Sequence, residues 1–181
     1  MKVKYLIAVL LLVAATGLIL LLSQDRIAGS LKSAGYLEYT PDEALEIAYG
    51  KCSGCHNTAK ITNYCFRCGP PFIVVVHNMR TLIALEKGKP GKEWLKNLTD
   101  SEAVAIVQVW DALIGNWEEG WRKEDLVKML QGDQALIDLL NIPPSERKIE
   151  AALFGRKVPG APEGPGVKTG VQEYRQTNQK Q

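Results

Sequence analysis

Residues 5–22 form an apolar run without one charged side chain, with Lys2 and Lys4 before it and Asp25 and Arg26 after it. Its length approaches the roughly 20 apolar residues that span a bilayer as a helix. An N-terminal membrane anchor over residues 1–23 is therefore expected. A cleaved signal peptide is the alternative, but such signals have a shorter apolar core and a small-residue cleavage site, for which "LLSQDRIAGS" is a poor match. No cysteine stands near the end of the run to carry a lipid, and a core helix does not fit its position behind two lysines. The lysines put the N-terminus on the cytoplasmic side and the remaining chain outside.

Beyond the run, residues 24–39 are polar with Gly and Ser, the composition of a tether. Two later segments open with the same device. In "TPDEALEIAYG", Thr40 is an N-cap, Pro41 takes the first helical position and Glu43 completes a capping box; Gly50 marks a stop. In "LTDSEAVAIVQVWDALIGNW", Thr99 and Glu102 repeat the box, and Ala103, Ile106, Val107, Trp110 and Ile114 make an apolar stripe at helical spacing. Between them, "PPFIVVVHNMRTLIALEKGK" is read as a helix from Pro70 or Pro71 to near Gly88, although its β-branched run suits an extended chain equally. On that helix Phe72, Val76, Met79 and Ile83 share a face, and His77 falls on another. Two shorter helices follow, divided by Gly132 and by Pro143 and Pro144, and residues 158–181 have the Pro/Gly-rich, polar composition of a disordered tail. The fold class is all-α, with a helical domain over residues 40–116 and a helical extension over 117–157.

Composition changes this picture little. A formal net charge of +2 over 181 residues, with no basic stripe, argues against nucleic acid as a partner. No nucleophile–base constellation stands out, so no catalytic activity of its own is expected.

The cysteines carry the chemistry. Cys52, Cys55, Cys65 and Cys68 are spaced as two C-x-x-C pairs, compatible with a four-thiolate zinc or iron site. That arrangement would make the chain an anchored interaction or assembly module. The first pair, however, is followed at once by His56, giving the C-x-x-C-H signature of covalent haem attachment. One helical turn presents both sulfurs to the two vinyl groups of a porphyrin, and the adjacent imidazole reaches the iron. The helix leading into Cys52 and the extracytoplasmic side both favour haem over a zinc ribbon. Cys65 and Cys68 can then close a small disulfide in an oxidising compartment, stay as thiols, or bind a metal elsewhere.

With "ALEIAYGKCSGCHNTAKI" as attachment helix and turn, and "VVVHNMR" and "LTDSEAVAIVQVW" as distal segment and closing helix, residues 40–116 resemble the monohaem c-type cytochromes. The resemblance implies that the first and last helices cross, so that Leu45 and Tyr49 meet Ile106, Val107 and Trp110. It implies one covalently bound haem c on Cys52 and Cys55, with His56 as the proximal iron ligand. The family order points to Met79 as the distal ligand; His77 is the alternative, and Met129 or an open sixth position follows. Two departures are visible: Met79 falls within a predicted helix, and the segment from Met79 to Thr99 is longer than in the shortest relatives. The function implied is single-electron transfer in a respiratory chain, on the periplasmic side of the cytoplasmic membrane. Its partners would be a quinol-oxidising complex and an oxidase, reductase or soluble carrier. An open sixth position would instead suit a haem sensor or enzyme.

Overall fold

The structure is a computed structural model that describes residues 2–62 and 69–156; some side chains of the first helix and that of Thr62 are outside the description. Cys65, Cys68 and the tail from residue 158 lie outside the described residues. Every regular element among the described residues is helical, in agreement with the all-α expectation. The chain divides into two units, Met1–Glu38 and Tyr39–Gln181.

The first unit is one helix, α1 (Lys2–Ser33). Its 32 residues make it about 48 Å long at 1.5 Å per residue. Leu10, Leu11, Leu12 and Val13 are 60–68% exposed. The Thr16 hydroxyl donates to the carbonyls of Leu12 at 2.9 Å and Val13 at 3.0 Å, so it needs no outside partner. Among the described residues no helix is long and apolar enough to cross a membrane; many side chains of the 5–22 run are not among them. Residues 24–33, expected as a tether, continue the helix. Adding residues to an existing helix costs far less than nucleating one, and Gln24, Arg26, Leu31 and Lys32 are good helix formers. The stop comes at Gly35, whose φ of +83° closes a Schellman motif: Tyr36 N–H donates to Leu31 O at 2.9 Å and Gly35 N–H to Lys32 O at 3.0 Å.

The second unit is built around α5 (Asp100–Ile114), which packs against α2 (Pro41–Ser53), α3 (Ala59–Thr62), α4 (Phe72–Glu86), α7 (Gln134–Leu140) and α8 (Lys148–Leu153). A short helix, α6 (Lys123–Met129), links the turn after α5 to α7. Both expected capping boxes are present. Thr40 N–H donates to the Glu43 carboxylate at 2.8 Å and Thr99 N–H to that of Glu102 at 3.0 Å, while each threonine oxygen accepts from the N–H three residues on, at 3.3 Å.

The crossing of α2 on α5 is the most extensive helix contact of the unit. Its centre on α2 is Ala44 and Ala48, both fully buried, with Leu45 and Tyr49 flanking them. Small side chains let the two backbones approach, and the larger neighbours fill the margins. The other side of α5 is covered as well. Gln108 and Asp111, which would be the polar face of an amphipathic helix, are buried by the extension after residue 116, so that extension belongs to the same core.

The ambiguous segment is the helix α4. Ile73, Val74 and Val76 are buried in the core, and that packing outweighs the β preference of branched side chains. The inward stripe of α4 nevertheless differs from the expected one: Ile73, Val76 and His77 are buried, and Met79 is 39% exposed.

Candidate functional site

Helix α2 does not stop at Gly50 but runs to Ser53, with Gly54 as its C-cap. Gly50 is αR-compatible and has open space around it, so nothing there ends the helix. Cys52 consequently sits in the last helical turn, Cys55 in the turn that follows, and both are free thiols. Cys52 is half-buried and Cys55 is exposed. A Cβ on Gly54 would lie 3.4 Å from Lys51 O and 4.0 Å from the Trp94 ring, so the turn passes close under that indole.

His56 leaves this turn with its Nδ1 3.1 Å from the carbonyl of Asn57. A carbonyl only accepts, so the contact puts a proton on Nδ1, and in the neutral ring the lone pair is then on Nε2. The carbonyl itself is fixed. Asn57 O accepts from Lys60 N–H at 3.0 Å, and Asn57 Oδ1 accepts from Ala59 N–H at 2.8 Å, so the start of α3 anchors the residue that orients the imidazole.

Behind Cys52 stands an aromatic wall. Trp110 is fully buried, with Tyr49 at 5.0 Å and Phe72 at 6.2 Å between ring centroids and tilts of 42° and 53°. Burial pushes the Cys52 thiol up from its ordinary value; the indole of Trp110 works in the opposite direction, and Cys55 adds a smaller upward push. Cys52 is therefore a neutral S–H at neutral pH. Trp110 Nε1 is near enough to act on that sulfur, yet it has no hydrogen-bond partner among the described residues. An unpartnered indole N–H is costly in a core, and here it is beside the first cysteine of the motif.

The distal candidates are dispersed along α4 and α6. Met79 faces outward from α4. His77, the alternative distal ligand, is buried and committed on one side: its Nδ1 is 3.2 Å from Asp133 Oδ2. Asp133 also receives two bonds from Arg80, at 2.8 and 2.9 Å, and Arg80 reaches Asp100 at 2.5 Å. The network ties α4 to the starts of α5 and α7, which explains why a histidine lies on the inward stripe. Iron ligation by His77 would have to use Nε2. Met129 is half-buried at the end of α6.

Among the described residues no group of three or more His, Cys, Asp or Glu side chains could hold a metal ion. The four-cysteine alternative depends on Cys65 and Cys68, outside the described residues.

A second chemical cluster went unnoticed in the sequence. Arg147, at the start of α8, is buried against three carboxylates: Glu118 at 2.5 Å, Glu150 at 3.2 Å and Asp111 at 3.6 Å. Asn116 donates to Glu150 at 3.1 Å and to Asp111 at 3.5 Å. The sequence signal for it is Asp111, which with Gln108 interrupts the apolar run of α5.

Comparison with family models, curated proteins and solved structures finds no match for the chain.

Proposed function

We propose that this chain is a membrane-anchored monohaem c-type cytochrome that carries single electrons on the outer side of the cytoplasmic membrane. The observation that supports it is the arrangement of Cys52, Cys55 and His56: two free thiols at the end of a buried-faced helix, followed by an imidazole whose Nδ1 is committed to Asn57 O. Metal-ligating histidines characteristically give their other ring nitrogen to a carbonyl or carboxylate, which fixes the tautomer and turns the free nitrogen to the metal. The Trp110 N–H beside Cys52, which has no hydrogen-bond partner among the described residues, is an orphaned donor next to the first of these thiols.

In this reading Cys52 and Cys55 would hold a haem c through thioethers and His56 would supply an imidazole nitrogen, Nε2, to the iron. When bound, the group supplies a reversible one-electron Fe(III)/Fe(II) couple. The chain's own residues provide everything around it. Tyr49, Phe72 and Trp110 exclude water on the Cys52 side, and burial keeps Cys52 a neutral thiol before attachment. Met79 is the distal ligand in preference to His77, because its thioether is on the open side of α4 whereas His77 is engaged with Asp133. His/Met ligation would raise the potential relative to two histidines. The exposed apolar side chains of α1 and the uncharged run of residues 5–22 support the anchor. A quinol-oxidising complex as donor, and an oxidase, reductase or soluble carrier as acceptor, complete the proposal.

The test is a reduced-minus-oxidised spectrum of the full chain produced with a haem c maturation system. A c-type spectrum is expected in the parent and none in Cys52→Ala/Cys55→Ala. Met79→Ala should abolish the low-spin His/Met signature while His77→Ala retains it; a folded, unpigmented parent would overturn the reading.

A further inference from the structure

The Arg147 cluster ties α8 to the end of α5 and the turn that follows it, with Arg147 and Glu118 lying 29 residues apart. Helix α5 contributes Asp111, the turn after it contributes Asn116 and Glu118, and α8 contributes Arg147 and Glu150. Water is excluded from it: the Arg147 side chain is 1% exposed and that of Asp111 is fully buried. Three carboxylates against one guanidinium leave two uncompensated negative charges if all are ionised. A buried excess of that size costs several kcal/mol per unpaired ion, so the cluster must shed charge by binding protons.

The hydrogen bonds identify where. Glu118 takes the best donors, with Arg147 Nη1 at 3.0 Å and Nη2 at 2.5 Å, and is the bidentate partner of the guanidinium. Glu150 shares what remains, Arg147 at 3.2 Å and Asn116 at 3.1 Å. Asp111 is served worst. Its Oδ2 has only long contacts, at 3.5 Å to Asn116 and 3.6 Å to Arg147, and its buried Oδ1 has no hydrogen-bond partner among the described residues. A carboxylate needs donors at both oxygens, whereas a neutral carboxyl does not.

We propose that Asp111 and Glu150 form a proton-binding site that holds α8 against α5: Asp111 retains a proton at neutral pH, and Glu150 exchanges one with solvent as the pH changes. The inference does not depend on the haem reading.

The electrostatics agree with the geometry. Asp111 is raised well above the ordinary carboxyl range, chiefly by burial and then by Glu150 and Glu118, against Arg147. Glu150 is raised from 4.5 to about 7, again chiefly by burial, with Arg147 and Asn116 opposing and Glu118 adding. The charged groups of the neighbouring elements are directed elsewhere. On α2, Asp42 pairs with Arg156 and Lys51 with Glu102. On α4, His77 and Arg80 meet Asp133, and on α7 Asp138 accepts from Gln134. Lys60 of α3, Glu119, Glu146 and Lys148 are exposed.

Because the folded state holds the Glu150 proton more tightly than the unfolded chain, this site's stabilisation is complete below the unfolded carboxyl value of 4.5. It is then lost as the pH rises through about 7. The folding equilibrium should lose on the order of a hundredfold across that window from this residue alone. The experiment compares urea unfolding of the full chain and of Glu150→Gln from pH 4.5 to 8.5. Glu150→Gln should remove this residue's share of the fall and leave that of Asp111, so that the difference between the two proteins varies with pH across the window. Asp111→Asn, which mimics the retained proton, should fold at neutral pH with little loss. Infrared difference spectra of the parent, with carboxyl carbons labelled in aspartate and glutamate separately, keep the proposal falsifiable if a variant does not fold. They should reveal a buried neutral aspartic acid at pH 7 and a glutamic acid titrating nearby. Fully ionised carboxyls at pH 6, or a difference between parent and Glu150→Gln that does not vary with pH, would overturn it.

Discussion

Trp110 is where the core and the cysteine motif meet, and replacing it separates two contributions. The indole is fully buried and packs between Tyr49 and Phe72. Truncation to alanine removes that packing and opens a cavity, costing about 3–5 kcal/mol, and it forfeits two aromatic contacts worth about 0.5–1.5 kcal/mol each beyond their area; the two figures overlap and do not add. Set against a typical stability of about 5–15 kcal/mol, Trp110→Ala should leave the second unit marginal. Trp110→Phe keeps most of the ring contact and deletes the N–H that has no hydrogen-bond partner among the described residues. Burying such a group costs about 1–3 kcal/mol, and its removal offsets much of the lost volume. Trp110→Phe is therefore expected to cost no more than about 1.5 kcal/mol, well under half the cost of alanine. Urea unfolding of the haem-free full chain, followed by far-UV circular dichroism, measures both variants at constant m. Equal costs for Phe and Ala would refute the reasoning, because they would mean that the indole N–H makes an essential bond.

Other outcomes follow from the same structure. Thr99→Ala removes the oxygen that accepts from Glu102 N–H and should destabilise by about 1 kcal/mol in the same urea assay. Thr99→Ser, which keeps the cap, should recover most of that. Arg147→Met strands three buried carboxylates; removal of one partner from a buried pair costs about 3–5 kcal/mol. The loss should grow as the pH rises from 5 to 8, since each proton released adds to the uncompensated charge, and thermal unfolding across that range measures it.

The helix starts were legible because their determinants are local. A capping box is written within four residues, and Thr40 and Thr99 are both where the sequence puts them. Helix ends and faces depended on distant partners. Nothing in "AYGKC" says that α2 continues past Gly50; the extra turn that carries Cys52 is supported by packing on α5. Ala44 and Ala48 gave little apolar signal, yet they form the centre of the crossing. Asp111 and Gln108 looked like the wet side of α5. They are internal because α8 docks there, with the Gln108 side chain accepting from Ile149 N–H at 3.1 Å. Such contacts across long separations leave no periodic trace. Met79 was assigned to the inward face from its spacing with Phe72 and Val76. The helix instead turns Ile73 and His77 inward, drawn by the Asp133 and Arg80 network. For the cysteine motif, residue types and order were visible in the sequence, but the tautomer of His56 and its Asn57 anchor were not, because they depend on how the turn enters α3.

The central claim is that Cys52 and Cys55 hold porphyrin covalently. Its most direct test is a haem stain and intact mass of the purified, denatured full chain after production with a haem c maturation system. One haem per chain, surviving denaturation and lost in Cys52→Ala/Cys55→Ala but retained in Cys65→Ala/Cys68→Ala, is the expected result. A chain without haem that binds zinc or iron, and loses it when any of the four cysteines is replaced, would contradict it.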